Sequence, residues 1–328
     1  MLVTGPNGAG KTNLLESLHV GTQGFSPRTR NDAQLVRFGA DGCRVALDGT
    51  RGGTPLRLEL TLRERVGKQA TADGRRLRAA EQLRAEVSTL VFTPDRLAVV
   101  KGGPAVRRAY VDRAIGRLWP AKAPLSAEYG AAIAQRNASL RGVAGGWSTL
   151  EALAPWTERV ASLGAELVAA REEALALLEP GFARQAEELG LAGAGLRYEG
   201  ERPTLAALET RLPRDLERGT TGLGPHLDDV SVLAGTRDLR GFGSQGEQRL
   251  AVLALLLAEA GVIAERTGVA PLLLLDDVLS ELDRGRRTVL ADAVARQGQT
   301  LVTATDAAFL PVEPVQHLEV FPGSVRGA

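Results

Sequence analysis

The sequence has little of several residue types on which whole classes of protein depend. Its 328 residues include one cysteine, Cys43, which excludes an intrachain disulfide framework and a multi-cysteine zinc or iron–sulfur site. The three histidines are scattered and give no support to a histidine-based metal cluster. Aromatic residues make up 4% of the chain, and only four of the 40 basic residues are lysine. We interpret this composition as codon bias, so that each lysine that remains is of interest.

Long hydrophobic runs are also lacking. The longest apolar run extends from Leu250 to Ala258, far short of the roughly 20 residues that span a bilayer. The N-terminus has no charged segment followed by an apolar stretch and a cleavage site. A net charge of +1 indicates neither a basic arm nor an acidic tail. We therefore expect a soluble, cytoplasmic protein of about two domains that makes no use of a membrane.

A phosphate-binding motif lies close to the N-terminus. The segment fits the pattern G-x-x-x-x-G-K-[ST], between a short apolar strand and an apolar-periodic helix from residue 12 to about residue 20. Glycines let backbone N–H groups surround phosphate oxygens, and the helix directs its positive end at the same place. A chance glycine-rich turn is the alternative, which this context disfavours. The predicted nucleotide-binding residues are Gly5, Pro6, Asn7, Gly8, Ala9, Gly10, Lys11, Thr12 and Asn13.

Two of these residues have predicted roles in chemistry. We expect Lys11 to reach the β- and γ-phosphates and to act in catalysis, and Thr12 to ligate Mg²⁺. A second ligand is predicted after the apolar run Leu272–Leu275, which is typical of a strand buried in a parallel sheet. Asp276 would then hold the metal ion at the carboxyl end of this strand, and Asp277 would polarise the attacking water. The alternative is that the two acids only end a strand and begin a turn.

A second polar segment precedes a long apolar helix that we predict to end near Arg266. Ser244 followed three residues later by Glu247 is a capping box, which by itself explains both residues. The neighbouring Gln245 and Gly246 are not needed for a cap, and they add a small polar platform at a helix N-terminus, where anions bind. We therefore predict that Ser244, Gln245 and Gly246 contact the γ-phosphate of a nucleotide held between two protomers.

Together these motifs resemble the ABC-type ATPase head, and more closely the RecF family of bacterial recombination mediators. The joint pattern covers nearly the whole chain. The stretches that carry the closer resemblance are 26–32, 35–39, 92–95, 100–104, 107–112, 135–137 with 140, 224–226 with 228–229, 242–249, and 276–278 with 280–283.

The chain departs from the family pattern at a few positions. Leu227 stands where relatives usually have arginine, and Thr303–Thr305 stands where transporter ATPases have a switch histidine. Asp277 replaces the longer glutamate of many ABC-type heads, which favours slow hydrolysis. Only residues 1–4 precede the motif, where the family has a strand and a hairpin, so we expect a truncated or misplaced start.

The resemblance implies an α/β fold: a P-loop ABC-type ATPase head with an antiparallel side sheet and an inserted helical lobe. Alternating residues from 44 to 62 support the side sheet, and helical periodicity between residues 102 and 200 supports the lobe, with several short helices and no long coiled coil. We predict three parts: 1–102 as the first part of the head, 103–202 as the lobe, and 203–328 as the second part of the head.

The resemblance also implies a function. The implied protein is a slow, DNA-stimulated ATPase that forms an ATP-dependent homodimer and clamps double-stranded and single-stranded DNA at gaps. Such a protein assists recombinase loading with recombination mediator proteins in repair, replication and the SOS response, with ATP and Mg²⁺ as cofactors. Two alternatives stay open: an ATPase subunit of a membrane transporter, and a chromosome-structure protein in which ATP only gates assembly.

Contacts to DNA are the least specific prediction, because local arginine clusters are often only solvated surface. With the resemblance we expect phosphate-backbone contacts and little reading of bases. The arginines predicted to make them are Arg37, Arg63, Arg65, Arg75 and Arg76.

Overall fold

We describe the fold from a computed structural model, which covers residues 1–29, 31–63, 67–78 and 80–327. By their internal contacts these residues form two compact units. The first unit comprises Met1–Leu97, Glu188–Gly190 and Val252–Ala328, and the second comprises Ala98–Glu187 and Leu191–Ala251. The predicted three-part division of the chain stays a prediction, and the second unit extends beyond the predicted boundary at residue 202.

The elements follow one another along the chain as strands and helices of very different length. The strands are β1 (Leu2–Thr4), β2 (Gly42–Arg51), β3 (Thr54–Arg63), β4 (Gly67–Ala72), β5 (Arg75–Arg76), β6 (Thr89–Phe92), β7 (Ala194–Glu199), β8 (Asp229–Ala234), β9 (Arg237–Asp238), β10 (Leu272–Leu275), β11 (Thr300–Thr303), β12 (His317–Phe321) and β13 (Ser324–Gly327). The helices are α1 (Lys11–Gln23), α2 (Ala80–Glu86), α3 (Ala98–Lys101), α4 (Pro104–Leu118), α5 (Leu125–Ala144), α6 (Leu150–Glu188), α7 (Leu205–Arg218), α8 (Leu239–Phe242), α9 (Gln245–Thr267) and α10 (Arg284–Ala295).

A mixed, mainly parallel sheet forms the centre of the first unit. Its strand order is β13-β12-β1-β11-β10-β6, and every neighbouring pair is parallel except β12 and β13. The four leucines of β10 pair with β6 on one side and β11 on the other, as an apolar run buried in a parallel sheet should. The predicted strands around Leu2 and at Leu272–Leu275 are therefore confirmed. The phosphate-binding motif Gly5–Thr12, called the P-loop below, and Asp276 and Asp277 follow the carboxyl ends of these two strands, at the same edge of the sheet.

The side sheet of the first unit is antiparallel, as predicted, with the order β2-β3-β4-β5. From Leu58 to Leu62, strand β3 alternates between buried leucines and half-buried polar residues, because one face packs on a core and the other is open to water. Leu58 and Leu60 on its inner face join a core that includes Val20 of α1 and Leu83 of α2. The helix that follows the P-loop is thus packed directly against the side sheet.

The second unit is mainly helical, and it differs from the sequence expectation in two respects. Helix α6 is one helix of 39 residues with Pro155 and Pro180 inside it, so the expectation of short helices is wrong there. Proline loses one backbone hydrogen bond and does not break a helix that is held by a buried face, here from Leu153 to Phe182. Strand β7 lies in the stretch predicted to be helical, and it pairs with β8 in a three-stranded antiparallel sheet.

Three buried arginines hold the second unit together. Arg136 is fully buried on α5 and donates to Asp215 of α7 at 2.8 Å and to Thr221 at 2.7 Å. Arg107 and Arg171 make similar pairs, with Asp229 and Asp112 respectively. Arg107 and Arg136 belong to stretches that carry the family resemblance, and in this structure all three side chains join segments that are distant along the chain.

None of the helices in the described ranges combines the length and the hydropathy that crossing a bilayer requires.

Candidate functional site

The P-loop is shaped by glycines whose backbone no other residue would adopt easily. Gly10 has a φ of 110° and caps the start of α1. Gly5 has a φ of 150°, and a Cβ atom on it would lie 2.4 Å from the carbonyl oxygen of Val320 on β12. Both conformations are open mainly to glycine. The neighbouring strand and the turn into α1 therefore fix two of the motif's glycines.

Lys11 is the first residue of α1, and its side chain folds into the loop. Its exposed fraction is 9%, and Nζ donates to the carbonyl oxygens of Gly5 at 2.7 Å and Pro6 at 3.1 Å. A compact ammonium group surrounded by backbone dipoles at a helix N-terminus makes a local centre of positive charge. This arrangement suits the binding of phosphate.

The carboxylate of Asp276 lies next to the P-loop and accepts hydrogen bonds from two hydroxyl groups. Thr12 Oγ1 donates to its two oxygens at 3.0 and 3.1 Å, and Thr303 Oγ1 donates to Oδ1 at 2.7 Å. The backbone N–H of Asp276 donates to Phe92 on β6, so the residue is held from the neighbouring strand as well. The structure thus brings together the two residues predicted to ligate a metal ion.

These oxygens fit a magnesium ion. The described residues contain no group of three or more His, Cys, Asp or Glu side chains that could hold a metal ion by themselves. Mg²⁺ does not need such a group, because it binds through one or two protein oxygens together with waters and substrate phosphates. The hydroxyl of Thr12 and the carboxylate of Asp276 are a donor set of this kind.

Asp277 has an unusual backbone conformation. Its φ of 48° lies in the left-handed region, which costs a non-glycine residue about 1–3 kcal/mol. Its N–H donates to Thr303 Oγ1 at 2.9 Å, and its carbonyl oxygen accepts from Ser280 Oγ at 3.1 Å. Strain of this sort persists where the surroundings impose it, and it concentrates at functional sites.

Thr303 is a site residue that sequence reasoning missed. In the sequence, Thr303–Thr305 stands out only as the place where a switch histidine is lacking. Its position at the end of a strand could have identified it. Thr303 ends β11, which lies beside β10, and the carboxyl ends of neighbouring parallel strands meet at one edge of the sheet.

One cleft of the first unit gathers these groups. Arg28 also lines it, with a guanidinium that lies 3.2 Å from Glu16 and 3.5 Å from Asn13 Oδ1 and a side chain that is 47% exposed. Arg28 is not among the residues predicted from the sequence to bind the nucleotide. The cleft is lined by Asn7, Gly8, Gly10, Lys11, Thr12, Asn13, Arg28, Asp276, Asp277, Thr303 and Thr305.

The residues predicted to contact the γ-phosphate, Ser244 to Gly246, lie in the second unit at the start of α9, and we call them the signature segment. The Ser244 N–H donates to Glu247 Oε2 at 2.8 Å, and the Glu247 N–H donates to Ser244 Oγ at 3.2 Å, which confirms the capping box. The backbone N–H of Ser244, Arg237 and the Ser244 hydroxyl together lower the pKa of Glu247 to about 2. Gln245 and Gly246 are exposed and take no part in this cap. The capping and the nucleotide roles are thus compatible.

The arginines predicted to contact DNA lie on the surface of the first unit. Arg37, Arg63, Arg75 and Arg76 are exposed, and the last three lie on the strands of the side sheet. Arg75 is 3.6 Å from Glu86, and Arg65 lies outside the described residues. Arg107 differs from these surface arginines, because it is buried in the second unit and paired with Asp229.

Comparisons with known sequences give one consistent result. Residues 1–318 match the family described as "RecF/RecN/SMC N terminal domain". The "DNA replication and repair protein RecF" of Heliobacterium modesticaldum is 36% identical over 323 residues, covering 93% of this chain and 86% of that protein. The protein of the same name from Lacticaseibacillus casei is 35% identical over 336 residues, covering 98% of this chain and 90% of that protein.

Solved structures agree with the sequences. A structure of the recombination mediator protein RecF-ATP in the RecFOR pathway matches with a TM-score of 0.87 and 26% identity, covering 100% of this chain and 91% of the other. An SMC head bound to the C-terminal winged-helix domain of ScpA matches with a TM-score of 0.57 and 15% identity, covering 100% and 88%. The second likeness concerns the fold alone. The predicted fold class, a P-loop ATPase head with a side sheet and a helical insertion, is confirmed.

Proposed function

Because this chain belongs to the RecF family of the wider RecF/RecN/SMC group, we propose that it is an ATP-dependent DNA-repair protein. In this proposal ATP and Mg²⁺ bind in the cleft of the first unit and gate a homodimer that closes on DNA. Hydrolysis is slow, is stimulated by DNA, and releases the closed state.

One observation carries the proposal. Thr12 of the P-loop donates to the carboxylate of Asp276 at 3.0 Å, so the phosphate-binding loop and the metal-binding acid share one site. The named relative that contains ATP supports the choice of nucleotide. When bound, Mg²⁺ would neutralise charge on the phosphates.

The other residues of the cleft have proposed tasks that follow from their positions. Lys11 would exchange the carbonyl oxygens of Gly5 and Pro6 for β- and γ-phosphate oxygens. Asp277 would accept a hydrogen bond from the attacking water and orient it towards the γ-phosphate. Its side chain is one methylene shorter than glutamate, which favours a longer contact with the water and slow turnover.

The dimer is proposed from the signature segment. Ser244, Gln245 and Gly246 are exposed at the N-terminal end of the 23-residue helix α9, where backbone N–H groups attract anions. Contacts from this segment to the γ-phosphate held by a second copy would exist only with ATP. The binding energy of those contacts would bias the pair of chains towards closure.

We further propose that the dimer binds single-strand gaps and junctions with duplex DNA. It would cooperate with recombination mediators to load recombinase in repair, replication and the SOS response. Arginines of the side sheet would supply phosphate contacts, so binding would weaken with salt and depend little on sequence. The names of the relatives, which refer to replication, repair and a recombination pathway, support this proposal.

The test is sedimentation of the full chain with and without a non-hydrolysable ATP analogue, repeated with gapped DNA. We expect monomers without nucleotide, dimers with it, and DNA in the dimer fraction. Lys11→Ala should abolish all nucleotide-dependent changes. A wild-type chain that stays monomeric with the analogue, or that binds DNA without regard to nucleotide, would contradict the proposal.

A purely gating role for ATP is tested with Asp277→Asn by three measurements: sedimentation for the dimer, phosphate release for hydrolysis, and assembly of recombinase on gapped DNA for loading. If this variant dimerises on ATP but does not hydrolyse it, and still supports recombinase loading, ATP serves only for assembly.

A further inference from the structure

Phe38 occupies a position that contributes nothing to the core of the first unit. Its exposed fraction is 104%, so the entire ring is in solvent. Large aromatic side chains normally bury most of their surface, and this chain has only seven phenylalanines. A ring that is fully exposed in such a sequence therefore requires an explanation other than packing.

A turn holds the ring in this position. The Ala40 N–H donates to the carbonyl oxygen of Arg37 at 2.9 Å, which closes a four-residue turn around Phe38 and Gly39. Gly39 has a φ of 81°, as the third position of such a turn requires. The ring is presented by a hydrogen-bonded turn, immediately before β2 begins at Gly42.

The surroundings of the ring are positively charged. Arg37 precedes Phe38 in the chain. Gly42, which follows Phe38 by four residues, pairs with Arg63 at the end of the side sheet. Both arginines are exposed, and within the described part of the chain neither has an ion-pair partner. The acidic neighbours are Asp41, which is exposed, and Asp32, which is bound to Lys68 at 2.7 Å. Positive charge thus remains beside an aromatic face.

An exposed aromatic ring beside unpaired arginines is the arrangement that binds unpaired nucleic-acid bases. Bases stack on the ring while the guanidinium groups contact the phosphates on either side. A base within a duplex is already stacked between its neighbours and cannot cover a side chain in this way, except at an end or a gap. The charge favours this ligand over an apolar protein surface, for which desolvation of Arg37 and Arg63 would be a cost.

We propose that Phe38 is a stacking site for an unpaired base of single-stranded DNA, with Arg37 and Arg63 as its phosphate contacts. This inference rests on the proposed DNA-binding function and deepens it. It assigns preference for single-stranded segments to one side chain, whereas the arginines of the side sheet alone would not distinguish single strands from duplex.

The experiment measures the affinity of the full chain for three ligands of equal length, in the presence of Mg²⁺ and an ATP analogue. They are a single strand, a duplex, and a single strand of abasic sugars that keeps the phosphates but lacks the bases. Phe38→Ala should weaken binding of the single strand about ten-fold and leave the duplex and the abasic strand unchanged. Phe38→Trp should retain the affinity, and Phe38→Leu should lose it, because leucine is apolar but has no π face.

Val315→Ala is the matched control, since Val315 is also 104% exposed in the first unit, and it should change none of the three affinities. Equal losses on all three ligands, an unchanged affinity of Phe38→Ala for the single strand, or full affinity of Phe38→Leu would each overturn the inference. If the wild type binds duplex in response to ATP, and Phe38→Ala has the same affinity as the wild type for the single strand, the proposed function stands and only the inference fails. If the wild type binds none of the ligands, both fail.

Discussion

Thr303 Oγ1 accepts a hydrogen bond of 2.9 Å from the backbone N–H of Asp277, whose φ of 48° is left-handed. The same hydroxyl donates its proton to Asp276 at 2.7 Å. The direction of both bonds is settled because a backbone N–H can only donate and an ionised carboxylate can only accept. One side chain on β11 therefore fixes the carboxylate that would hold the metal ion and the backbone of the residue that would orient water.

Replacement of Thr303 tests this relationship. Thr303→Val keeps the shape and removes the hydroxyl, which leaves the Asp277 N–H without its partner and the Asp276 carboxylate with the Thr12 hydroxyl alone. We expect kcat for ATP hydrolysis to fall about ten- to a hundred-fold, the KM for ATP to change little, and the Mg²⁺ concentration for half-maximal nucleotide binding to rise. Thr303→Ser keeps the hydroxyl and should stay close to wild type. Equal behaviour of the valine and serine variants in both assays would refute the role of the hydroxyl.

Ser244→Arg tests the proposed composite site, in which the signature segment of one chain contacts the γ-phosphate bound in the cleft of a second copy. In the closed dimer the arginine side chain would occupy the space of the γ-phosphate held by the partner, so the variant should fail to dimerise. Because Ser244 does not line the cleft of its own chain, the variant should bind ATP normally there. Sedimentation velocity with a non-hydrolysable analogue measures the dimer, and fluorescent-nucleotide titration measures binding.

The control for that variant is Thr204→Arg. Thr204 caps α7 by accepting from the Ala207 N–H at 3.1 Å, so its replacement also removes a helix cap, which costs about 1 kcal/mol, and adds an arginine in the second unit. We expect this control to dimerise. A dimer of normal strength in Ser244→Arg would rule out the composite-site proposal.

Arg136 is predicted to matter for stability and not for catalysis. Its guanidinium and the Asp215 carboxylate are both fully buried, and removing one partner leaves an uncompensated charge. Arg136→Met should lower the free energy of unfolding by about 3–5 kcal/mol, measured by urea or thermal denaturation. Arg296→Met removes the exposed pair with Glu188 and should cost about 1 kcal/mol or less. Similar losses for the two variants would contradict our assignment of Arg136.

Salt dependence tests the proposed phosphate contacts. Each of Arg37, Arg63 and Arg76, when replaced by alanine, should weaken duplex or single-strand binding on every sequence and reduce the slope of log K against log salt by about 1. Arg44→Ala is the control, because Arg44 is engaged by Glu59 through two bonds of 2.7 Å. Binding that is insensitive to salt, or slopes that are the same in all variants, would rule out backbone contacts at these arginines.

Much of the cleft was accessible to sequence reasoning because its chemistry is carried by short motifs. The spacing of Gly5, Gly10, Lys11 and Thr12 predicts a loop of fixed shape, and the leucine run before Asp276 predicts the strand that brings the carboxylate to it. Thr303 was missed because its importance depends on the register of β10 and β11, which places Leu275 beside Val302. No local pattern around Thr303 reveals that register.

The helical unit was harder to predict, for a similar reason. Proline at 155 and 180 argues locally for helix ends, yet the apolar side chains between them pack on one continuous face and keep α6 intact. The periodicity between residues 102 and 200 indicates helices, but it does not identify the strand Ala194–Glu199, whose partner β8 lies about 35 residues further on. Tertiary contacts decided both cases.

The central sheet has a consequence for the order in which the protein can assemble during synthesis. Strand β6 pairs with β10, and β1 pairs with β11 and β12, so the early strands wait for partners made much later. A ribosome adds about 5–20 residues per second, which separates Phe92 from Leu272 by roughly 10–35 s. During that interval the apolar edges of β1 and β6 are without partners, while all of the helices α4 to α7 have emerged. The nucleotide cleft is therefore among the last parts of the nascent chain to form, and until then the unpaired edges of the early strands are open to pairing with other chains.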